Sequence, residues 1–353
     1  MISFIVPIRN EAKSISKTIA SILNQKFDGR DFEIIISDGE SDDGTIQIVK
    51  QLEKKHKKIK FINNPDKISA SGFNKALTIC MGEIIIRVDG HVELDNNYIE
   101  NYYNVIKRVN ADCIGGRTIH IGSGIIGNSI SLAQTSKFGV GGVLFREKLE
   151  IGSYVDTLAF GIYKRELFEK FGSYDEELKK NQDDEFNFRI NQNNKKIWLD
   201  PSLVSYYVTR NSYFKLFNQY FEYGFYKVRV IQKRRGIASW RHIVPATFCS
   251  LLIFGLFYFI IQKNPIFFIS FLMFYTIANL FATFYEFVKN PKNIFSIIIL
   301  PLTYFVLHIS YGIGFLCGGI YFIKKWRDIQ IKSPSFNKEI FILNGQRNDE
   351  KGN

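Results

Sequence analysis

The sequence predicts an α/β domain with a mostly parallel sheet, followed by a C-terminal region of α-helical transmembrane segments. Two observations support this prediction. Short β-branched segments alternate with segments of helical length through about residue 240, the pattern of βαβ units with right-handed crossovers. Residues 243–323 then consist mostly of Phe, Ile, Leu and Tyr with few charges, as expected for helices in a lipid bilayer.

Four strands are predicted in the first part of the chain. The fourth, residues 84–88, is a run rich in β-branched residues that is too short for a helix and too apolar for an exposed edge. The helices between them show apolar residues at helical spacing, as in Ile15, Ile19 and Ile22. A later helix is predicted at residues 164–172, with Gly172 at its C-cap. The predicted strands are residues 2–7, 32–37, 59–62 and 84–88.

Acidic loops follow the second and fourth strands, where open α/β sheets bind their ligands. No Gly-x-Gly-x-x-Gly follows any strand, which argues against a dinucleotide-binding domain. Carboxylates would repel a bare diphosphate, so Asp89 and His91 are predicted to hold a divalent cation, although Asp-Gly is also a common turn dipeptide. Asp38 either accepts hydrogen bonds from a nucleobase or ribose, or caps a turn.

Three consecutive acids, Asp183, Asp184 and Glu185, begin another predicted helix. Acids in a first helical turn often only complement the helix dipole. The alternative is that one of them supplies the base that a group transfer to a hydroxyl requires. The Gly-rich residues 113–142 are predicted to form either a mobile loop over a site or a plain connector.

The net charge of +12 is concentrated before the first apolar span. Residues 210–242 hold eight Lys or Arg residues and one acid, Glu222. Basic residues beside a span mark the cytoplasmic side and attract anionic lipids, so a membrane surface is a better partner than nucleic acid. Residues 213–233 are predicted to be an amphipathic helix at the membrane interface. The four scattered cysteines indicate neither disulfides nor a zinc site, which suits a reducing cytoplasm.

The apolar region contains two clear spans, residues 243–262 and 265–287. Residues 294–323 are too long for one upright span and too short for two, with Pro301 as a possible kink. The number of crossings therefore stays open at this stage. The polar tail after residue 333 is predicted to be poorly ordered.

Four motifs in order give the chain a resemblance to the inverting glycosyltransferase family 2, most closely its ExoA-like succinoglycan-biosynthesis branch. The resemblance implies a GT-A type nucleotide-diphospho-sugar transferase domain at residues 1–210. Interfacial helices at 211–242, about three transmembrane helices at 243–332 and a tail at 333–353 then follow. The motifs are VPIRNE at residues 6–11, DGESDDGT at 38–45, RVDGH at 87–91 and NQDDE at 181–185.

The resemblance also implies roles for individual residues. Asp183 would be the catalytic base with Asp184 as its rival, and Asp89 and His91 would hold the metal. His91 replaces the second Asp of an Asp-x-Asp motif, which favours Mn²⁺ over Mg²⁺. The acceptor or membrane side would include Arg189, Gln219 and Tyr223. The donor side would include Pro7, Arg9, Glu11, Asp38, Asp43, Gly72, Asn74, Arg87 and Asp89, with Asp38 at the base and Asp43 near the ribose or diphosphate.

The function implied by the resemblance is transfer of a single sugar from a nucleotide-diphosphate sugar to a hydroxyl of a lipid-linked glycan. A UDP-sugar is the expected sugar donor. Such a protein would serve exopolysaccharide or cell-surface polysaccharide synthesis as a multi-pass protein of the cell (inner) membrane with a cytoplasmic catalytic domain. One alternative is a non-catalytic membrane scaffold that binds a nucleotide. The other is a processive polysaccharide synthase, which the missing Arg-Trp after Gln219 disfavours.

Overall fold

The computed structural model describes residues 1–237 and 239–352, without the side chains at 292 and 347–352. It divides into two compact units. We call the first the sheet unit; it comprises Met1–Ile119, Lys148–Tyr207 and Gln330–Asn353. We call the second the helical unit; it comprises His120–Glu147 and Val208–Ile329.

Nine strands form one sheet in the part of the chain that the structure describes. Their order is β3-β2-β1-β4-β8-β6-β9-β5, and β7 pairs with β9. The first four strands run parallel, whereas β8, β6, β9 and β5 add antiparallel pairs. The predicted α/β class with a largely parallel sheet is confirmed. The strands are β1 (Ile2–Ile8), β2 (Phe32–Asp38), β3 (Ile59–Asn63), β4 (Ile84–Arg87), β5 (Val92–Leu94), β6 (Cys113–Ile121), β7 (Ser153–Tyr154), β8 (Ile162–Lys164) and β9 (Ile197–Val208).

The helices of the sheet unit cover the apolar faces of the sheet. In α1 the side chains of Ile15, Ile19 and Ile22 are fully buried, and each contributes about 1.5 to 3 kcal/mol by leaving water. The predicted C-cap of α7 is confirmed, since Gly172 has a φ of 77°. The helices of the chain are α1 (Ile15–Leu23), α2 (Thr45–Lys55), α3 (Ser69–Ile79), α4 (Tyr98–Ile106), α5 (Gly124–Thr135), α6 (Lys137–Val140), α7 (Arg165–Phe171), α8 (Gln182–Gln192), α9 (Tyr213–Arg234), α10 (Val244–Gln262), α11 (Ile266–Lys289), α12 (Ile294–Ile298), α13 (Leu300–Tyr321) and α14 (Lys338–Gly352).

The Gly-rich residues 113–142 are mostly regular structure, so the prediction of a mobile loop or connector is wrong. They form β6, α5 and α6. Their glycines permit close packing: a Cβ on Gly116 would lie 1.8 Å from the carbonyl oxygen of Leu203 in β9. Likewise, a Cβ on Gly139 would lie 2.0 Å from the carbonyl oxygen of Ala133. High glycine content here reflects steric need and not mobility.

Three helices of the described chain are long and apolar enough to cross a membrane, namely Trp240–Gln262, Ile266–Lys289 and Leu300–Tyr321. The awkward apolar stretch at residues 294–323 is divided into α12 and α13. Pro301 lies in the first turn of α13, where the missing N–H of proline leaves no hydrogen bond unmade. Proline thus begins a helix here instead of kinking one.

The tail contains a helix that packs on the sheet unit, so the prediction of poor order is wrong for this part. Phe341 of α14 is fully buried. The guanidinium of Arg165 lies 3.8 Å from its ring centroid and donates to the Phe341 carbonyl. Asn344 donates to the carbonyl of Thr78 over 3.2 Å. A mostly polar segment folds because a few of its residues find buried partners.

We expect Phe341→Ala to cost up to about 3 kcal/mol in docking of α14, because it removes a buried ring and exposes Arg165. The measurement is limited proteolysis of the tail in the detergent-solubilised chain, together with its thermal unfolding. Leu343→Ala is the control, since Leu343 on the same helix is 52% exposed. Equal protease sensitivity of the two variants would contradict the assignment of Phe341 as the anchor.

Candidate active site

The site begins where β1 and β2 end side by side, with Ile8 paired to Asp38. Asp38 is fully buried. Its two carboxylate oxygens accept hydrogen bonds from the backbone N–H of Ser41 over 2.9 Å and from the Ser41 hydroxyl over 2.6 Å. The geometry is that of a turn capped by an aspartate, so contact of Asp38 with a nucleobase stays a prediction.

Asp43 joins two loops at this edge. Its Oδ2 accepts from the backbone N–H of Ala12 over 3.1 Å, and its Oδ1 accepts from the Thr45 hydroxyl over 2.5 Å. Burial raises the pKa of Asp43, but the hydrogen bonds from Thr45 and Ala12 outweigh it and lower the pKa below its usual value. Asp43 therefore fixes the loop after β1 against the start of α2.

Pro7, Arg9 and Gly72 surround the same edge. A Cβ on Gly72 would lie 3.4 Å from the Pro7 Cβ and 3.0 Å from the Ser37 hydroxyl oxygen, so glycine lets α3 approach the ends of β1 and β2. Arg9 is exposed. Arg9 is the one charged residue among these three, and its contact with a diphosphate stays a prediction.

Asn74 has a supporting position. It is fully buried, and its Nδ2 donates to the Tyr174 carbonyl and to Glu176 Oε1, each over 2.8 Å. Its Oδ1 accepts from the Tyr174 N–H over 3.1 Å. All of its amide atoms are engaged within the protein, so Asn74 holds the loop around Tyr174 and does not present itself to a donor.

Arg87 connects the two motifs at the centre of the site. It is the last residue of β4 and is buried. Its Nε donates to Asp89 Oδ1 over 3.0 Å, and its Nη1 lies 3.3 Å from Asp183 Oδ2. The ring of Tyr174 lies beneath it, 5.8 Å from the guanidinium carbon. One guanidinium thus brings together carboxylates from the end of β4 and the start of α8.

Asp183 combines partial burial with an accessible edge. Its side chain is 30% exposed, and its Oδ1 accepts from the Asp184 N–H over 2.9 Å. Burial raises the pKa of Asp183, Arg87 opposes this, and the nearby charges of Asp184 and Asp89 raise the pKa further. A carboxylate with a raised pKa is a better proton acceptor than an ordinary aspartate.

The residues predicted for the acceptor side are not all placed at a surface. Arg189 is buried and donates from Nη2 to Glu185 over 2.8 Å and to the Ser173 carbonyl over 2.7 Å. It ties α8 to the loop that follows α7. Gln219 and Tyr223 lie on α9 in the helical unit, where Gln219 Nε2 donates to the Tyr223 hydroxyl over 3.3 Å.

Comparison with known proteins identifies the family. Residues 3–172 match the family model described as glycosyl transferase family 2. These residues form a glycosyltransferase family 2 domain. The transferase is 27% identical over 243 residues to the succinoglycan biosynthesis protein ExoA of Rhizobium meliloti. The aligned region covers 68% of this chain and 73% of that relative.

A longer match extends through the apolar helices. The transferase is 27% identical over 333 residues to the dolichyl N-acetyl-alpha-D-glucosaminyl phosphate 3-beta-D-2,3-diacetamido-2,3-dideoxy-beta-D-glucuronosyltransferase of Methanococcus voltae. The match covers 90% of this chain and 96% of that relative. The solved structure of a mannosyltransferase from Pyrobaculum calidifontis, in complex with GDP-Man and Mn²⁺, has a TM-score of 0.55 at 15% identity, covering 88% of this chain and 86% of its own. This likeness confirms the fold.

The side chains of His91 and Glu11 form a hydrogen-bonded pair in the transferase, and the sequence did not predict this pair. His91 Nδ1 lies 2.7 Å from Glu11 Oε1, and Glu11 Oε2 accepts from the Ser14 hydroxyl over 2.8 Å. The imidazole also packs edge-on against the Tyr207 ring, with centroids 4.9 Å apart. Sequence spacing gives no signal for such a pair, because its members come from loops after different strands.

Asp89 offers a carboxylate oxygen and His91 an imidazole nitrogen, and these ligand types fit a divalent cation. Glu11 occupies Nδ1 of His91 and leaves Nε2 as the nitrogen for a metal, the usual carboxylate–histidine–metal arrangement. Among the described residues no group of three or more His, Cys, Asp or Glu could hold a metal ion. Asp89 and His91 would therefore hold a cation with two protein ligands and leave its other positions to substrate phosphates and water.

Proposed function

We propose that this family 2 glycosyltransferase moves a single sugar, with inversion, from a nucleotide-diphosphate sugar to a hydroxyl of a lipid-linked glycan. The observation that carries the proposal is the cluster in which Arg87 joins Asp89 to Asp183. In this cluster the proposed base, Asp183, and the proposed metal ligand, Asp89, contact the same guanidinium. The name of the Methanococcus voltae relative gives a dolichyl-linked acceptor, and the three long apolar helices support a substrate carried by lipid.

Asp183 is the proposed base. Its accessible carboxylate oxygen accepts the proton of the acceptor hydroxyl as that oxygen forms a bond to the anomeric carbon. The bond from the anomeric carbon to the diphosphate breaks at the same time, and the nucleoside diphosphate leaves with the electron pair. A single displacement inverts the anomeric centre. Arg87 keeps Asp183 in position and balances its charge between turnovers.

Asp89 and His91 are the proposed ligands of a divalent cation, which would supply positive charge for the departing diphosphate. The mixed oxygen and nitrogen donor set suits Mn²⁺ better than Mg²⁺. Asp89 Oδ1 is held by Arg87 at 2.9 Å from Nη2. Arg87 thereby orients the carboxylate that faces the donor.

We expect His91→Asp to shift the metal preference toward Mg²⁺, because a second carboxylate oxygen replaces the imidazole nitrogen. The measurement is the ratio of the initial rates in saturating Mn²⁺ and in saturating Mg²⁺. His56→Asp is a control, because His56 lies at the end of α2 outside the site. An unchanged ratio in His91→Asp would remove His91 from the metal site.

The transferase is proposed to act at the cytoplasmic face of the cell membrane in surface-polysaccharide synthesis, with a UDP-sugar as the first donor to test. The decisive experiment is a panel of nucleotide sugars on membranes that contain the full chain, with Mn²⁺, Mg²⁺ or a chelator. We expect one donor to be consumed with Mn²⁺ and spared with the chelator. Consumption of no donor by these membranes would refute the proposal, and long polymer from one acceptor would favour a processive synthase.

A further inference from the structure

The number of membrane crossings follows from contacts within each unit. Three helices qualify as spans by length and composition, and three crossings would put the two ends of the chain on opposite sides of the membrane. The tail, however, belongs to the same compact unit as the N-terminal residues. An even number of crossings is therefore required.

The contacts that hold the tail on the sheet unit are specific and buried. Phe341 covers Arg165, and Asn344 donates to the Thr78 carbonyl. Upstream of α14, the hydroxyl and N–H of Ser335 each donate to a Glu176 oxygen over 3.0 Å. Glu176 is also the acceptor for Asn74. These contacts cannot form through a bilayer.

α10 and α11 have the features of a spanning hairpin. They pack antiparallel, with Phe248 stacked on Tyr275 at 4.4 Å and Phe254 edge-on to Phe267 at 5.9 Å. Their 19 and 24 residues rise about 28 and 36 Å, enough for a hydrocarbon core of about 30 Å. Large apolar side chains point outward, as shown by Phe274, which is 72% exposed. Lipid is the partner that fits such a surface.

α13 differs because α9 lies along it. Gln232 of α9 donates to the Phe322 carbonyl over 2.9 Å just beyond the end of α13. At its other end, the hydroxyls of Tyr213 and Thr303 lie 3.1 Å apart. Tight contact in the middle depends on glycine, since a Cβ on Gly224 would lie 2.1 Å from the Tyr311 carbonyl oxygen.

α9 cannot enter the hydrocarbon core with α13. Its charged residues extend through most of its length, and charges at the bilayer centre are costly. The two helices are also parallel, because residue numbers rise together along their contacts. If both crossed with the hairpin between them, they would be antiparallel. The charged residues of α9 are Lys215, Glu222, Lys227, Arg229, Lys233 and Arg234.

α13 contacts the hairpin near its open end. A Cβ on Gly312 would lie 2.3 Å from the Pro245 carbonyl oxygen, at the first turn of α10. Asn279, in the second half of α11, donates to the Pro301 carbonyl over 2.9 Å. Because Phe248 stacks on Tyr275, Asn279 lies level with the first turn of α10, so both contacts are on the half of the hairpin away from its tip.

We propose that the chain crosses the membrane twice, through the α10–α11 hairpin alone, and that α13 stays beside α9 outside the hydrocarbon core. The charges agree with this topology. The connection at the hairpin tip, residues 263–265, has Lys263 as its one charge. The clusters before α10 and after α13 then share the cytoplasmic side, as the positive-inside tendency requires. They are Arg234, Arg235 and Arg241 before α10, and Lys324, Lys325 and Arg327 after α13.

The test uses single-cysteine variants of the full chain in sealed vesicles and a membrane-impermeant maleimide. Cys317 is exposed and is replaced by Ala in the background, whereas Cys80, Cys113 and Cys249 are buried. Three exposed positions serve as probes: Lys54→Cys in α2, Asn264→Cys at the hairpin tip and Lys338→Cys at the start of α14. Each is labelled in right-side-out and in inverted vesicles.

We expect Lys54→Cys and Lys338→Cys to be labelled from one side of the membrane and Asn264→Cys from the other. Labelling of Lys338→Cys from the same side as Asn264→Cys would show that α13 crosses. Labelling of all three from one side would show that the hairpin does not cross. Protease digestion of a C-terminal epitope tag on the otherwise unmodified chain checks the tail independently of the cysteine variants. Digestion only from the side that carries Asn264 would overturn the proposal.

Discussion

Asp183→Asn is expected to lower kcat by about 10² to 10⁴-fold, the usual contribution of a general base. The amide keeps the shape of the side chain and its hydrogen bond from the Asp184 N–H, but it cannot accept the acceptor proton. Affinity for the donor should change little, because the base acts on the acceptor hydroxyl. The measurement is single-turnover transfer together with donor binding on the same membrane preparation.

Asp184→Asn is the matched control, since it removes the same charge one residue further along α8. We expect a much smaller loss of kcat, because Arg87 contacts Asp183 and the proposed proton transfer uses Asp183. A loss in Asp184→Asn as large as that in Asp183→Asn would move the base to Asp184, the rival that the motif resemblance leaves open. Wild-type turnover in Asp183→Asn would reject an Asp183 base altogether.

The pH dependence of the wild-type enzyme gives a second measure of Asp183. Only the ionised carboxylate can accept a proton, so kcat should fall as the pH decreases through the pKa of Asp183. Burial and the charges of Asp184 and Asp89 raise that pKa above its usual value. The acid limb of the profile is therefore expected at a higher pH than for a free aspartate, and Asp183→Asn should lack it.

The first two strands of the parallel half were predictable because every residue of β1 and of β2 is buried. Residues 84–86, three consecutive isoleucines, are too apolar for a solvent-exposed strand and too few for a helix. The positions of Asp38 and Asp89 at one edge followed from the parallel arrangement alone. Register then places Ile8 beside Asp38 and Ile5 beside Arg87.

The roles of individual polar residues were harder to predict, because they depend on partners that lie far away in the sequence. The motif resemblance implies a donor-side role for Asn74 and an acceptor-side role for Arg189, yet both side chains turn inward and bond to backbone carbonyls. Arg87 is identified as a bridge only by its distance from Asp183. Spacing within one segment contains no information about such contacts.

In the helical unit, too, the sequence does not show which partners a segment contacts. Hydropathy identified three apolar segments correctly, but it measures composition and not neighbours. In the most apolar 18-residue segment of α11, 6% of the residues are buried inside the protein, whereas in that of α13 the share is 44%. Packing of α9 along α13 accounts for part of this difference. A helix that meets protein along one side can be as apolar as a helix that meets lipid, so hydropathy alone left the crossing number open.

Arg87→Met is expected to lower kcat by about 10²-fold and to move the acid limb of the pH profile to higher pH. Arg87 lowers the pKa of Asp183, so its removal leaves two neighbouring carboxylates without their shared cation, and Asp183 is protonated at a higher pH. The free energy of unfolding should fall by about 3 kcal/mol, the low end for a broken buried pair, because Asp183 is 30% and Asp89 23% exposed.

Arg165→Met separates the catalytic effect of Arg87→Met from its structural effect. Arg165 is also buried, but its guanidinium bonds to the carbonyls of Cys80 and Gly82, and among the described residues it forms no hydrogen bond or ion pair with Asp183. We expect Arg165→Met to lose stability with an unchanged acid limb, whereas Arg87→Met shifts it. The measurement is kcat as a function of pH for both variants. The same shift of the acid limb in both would mean that loosening of the fold, and not loss of the Arg87 charge, changes the protonation of Asp183.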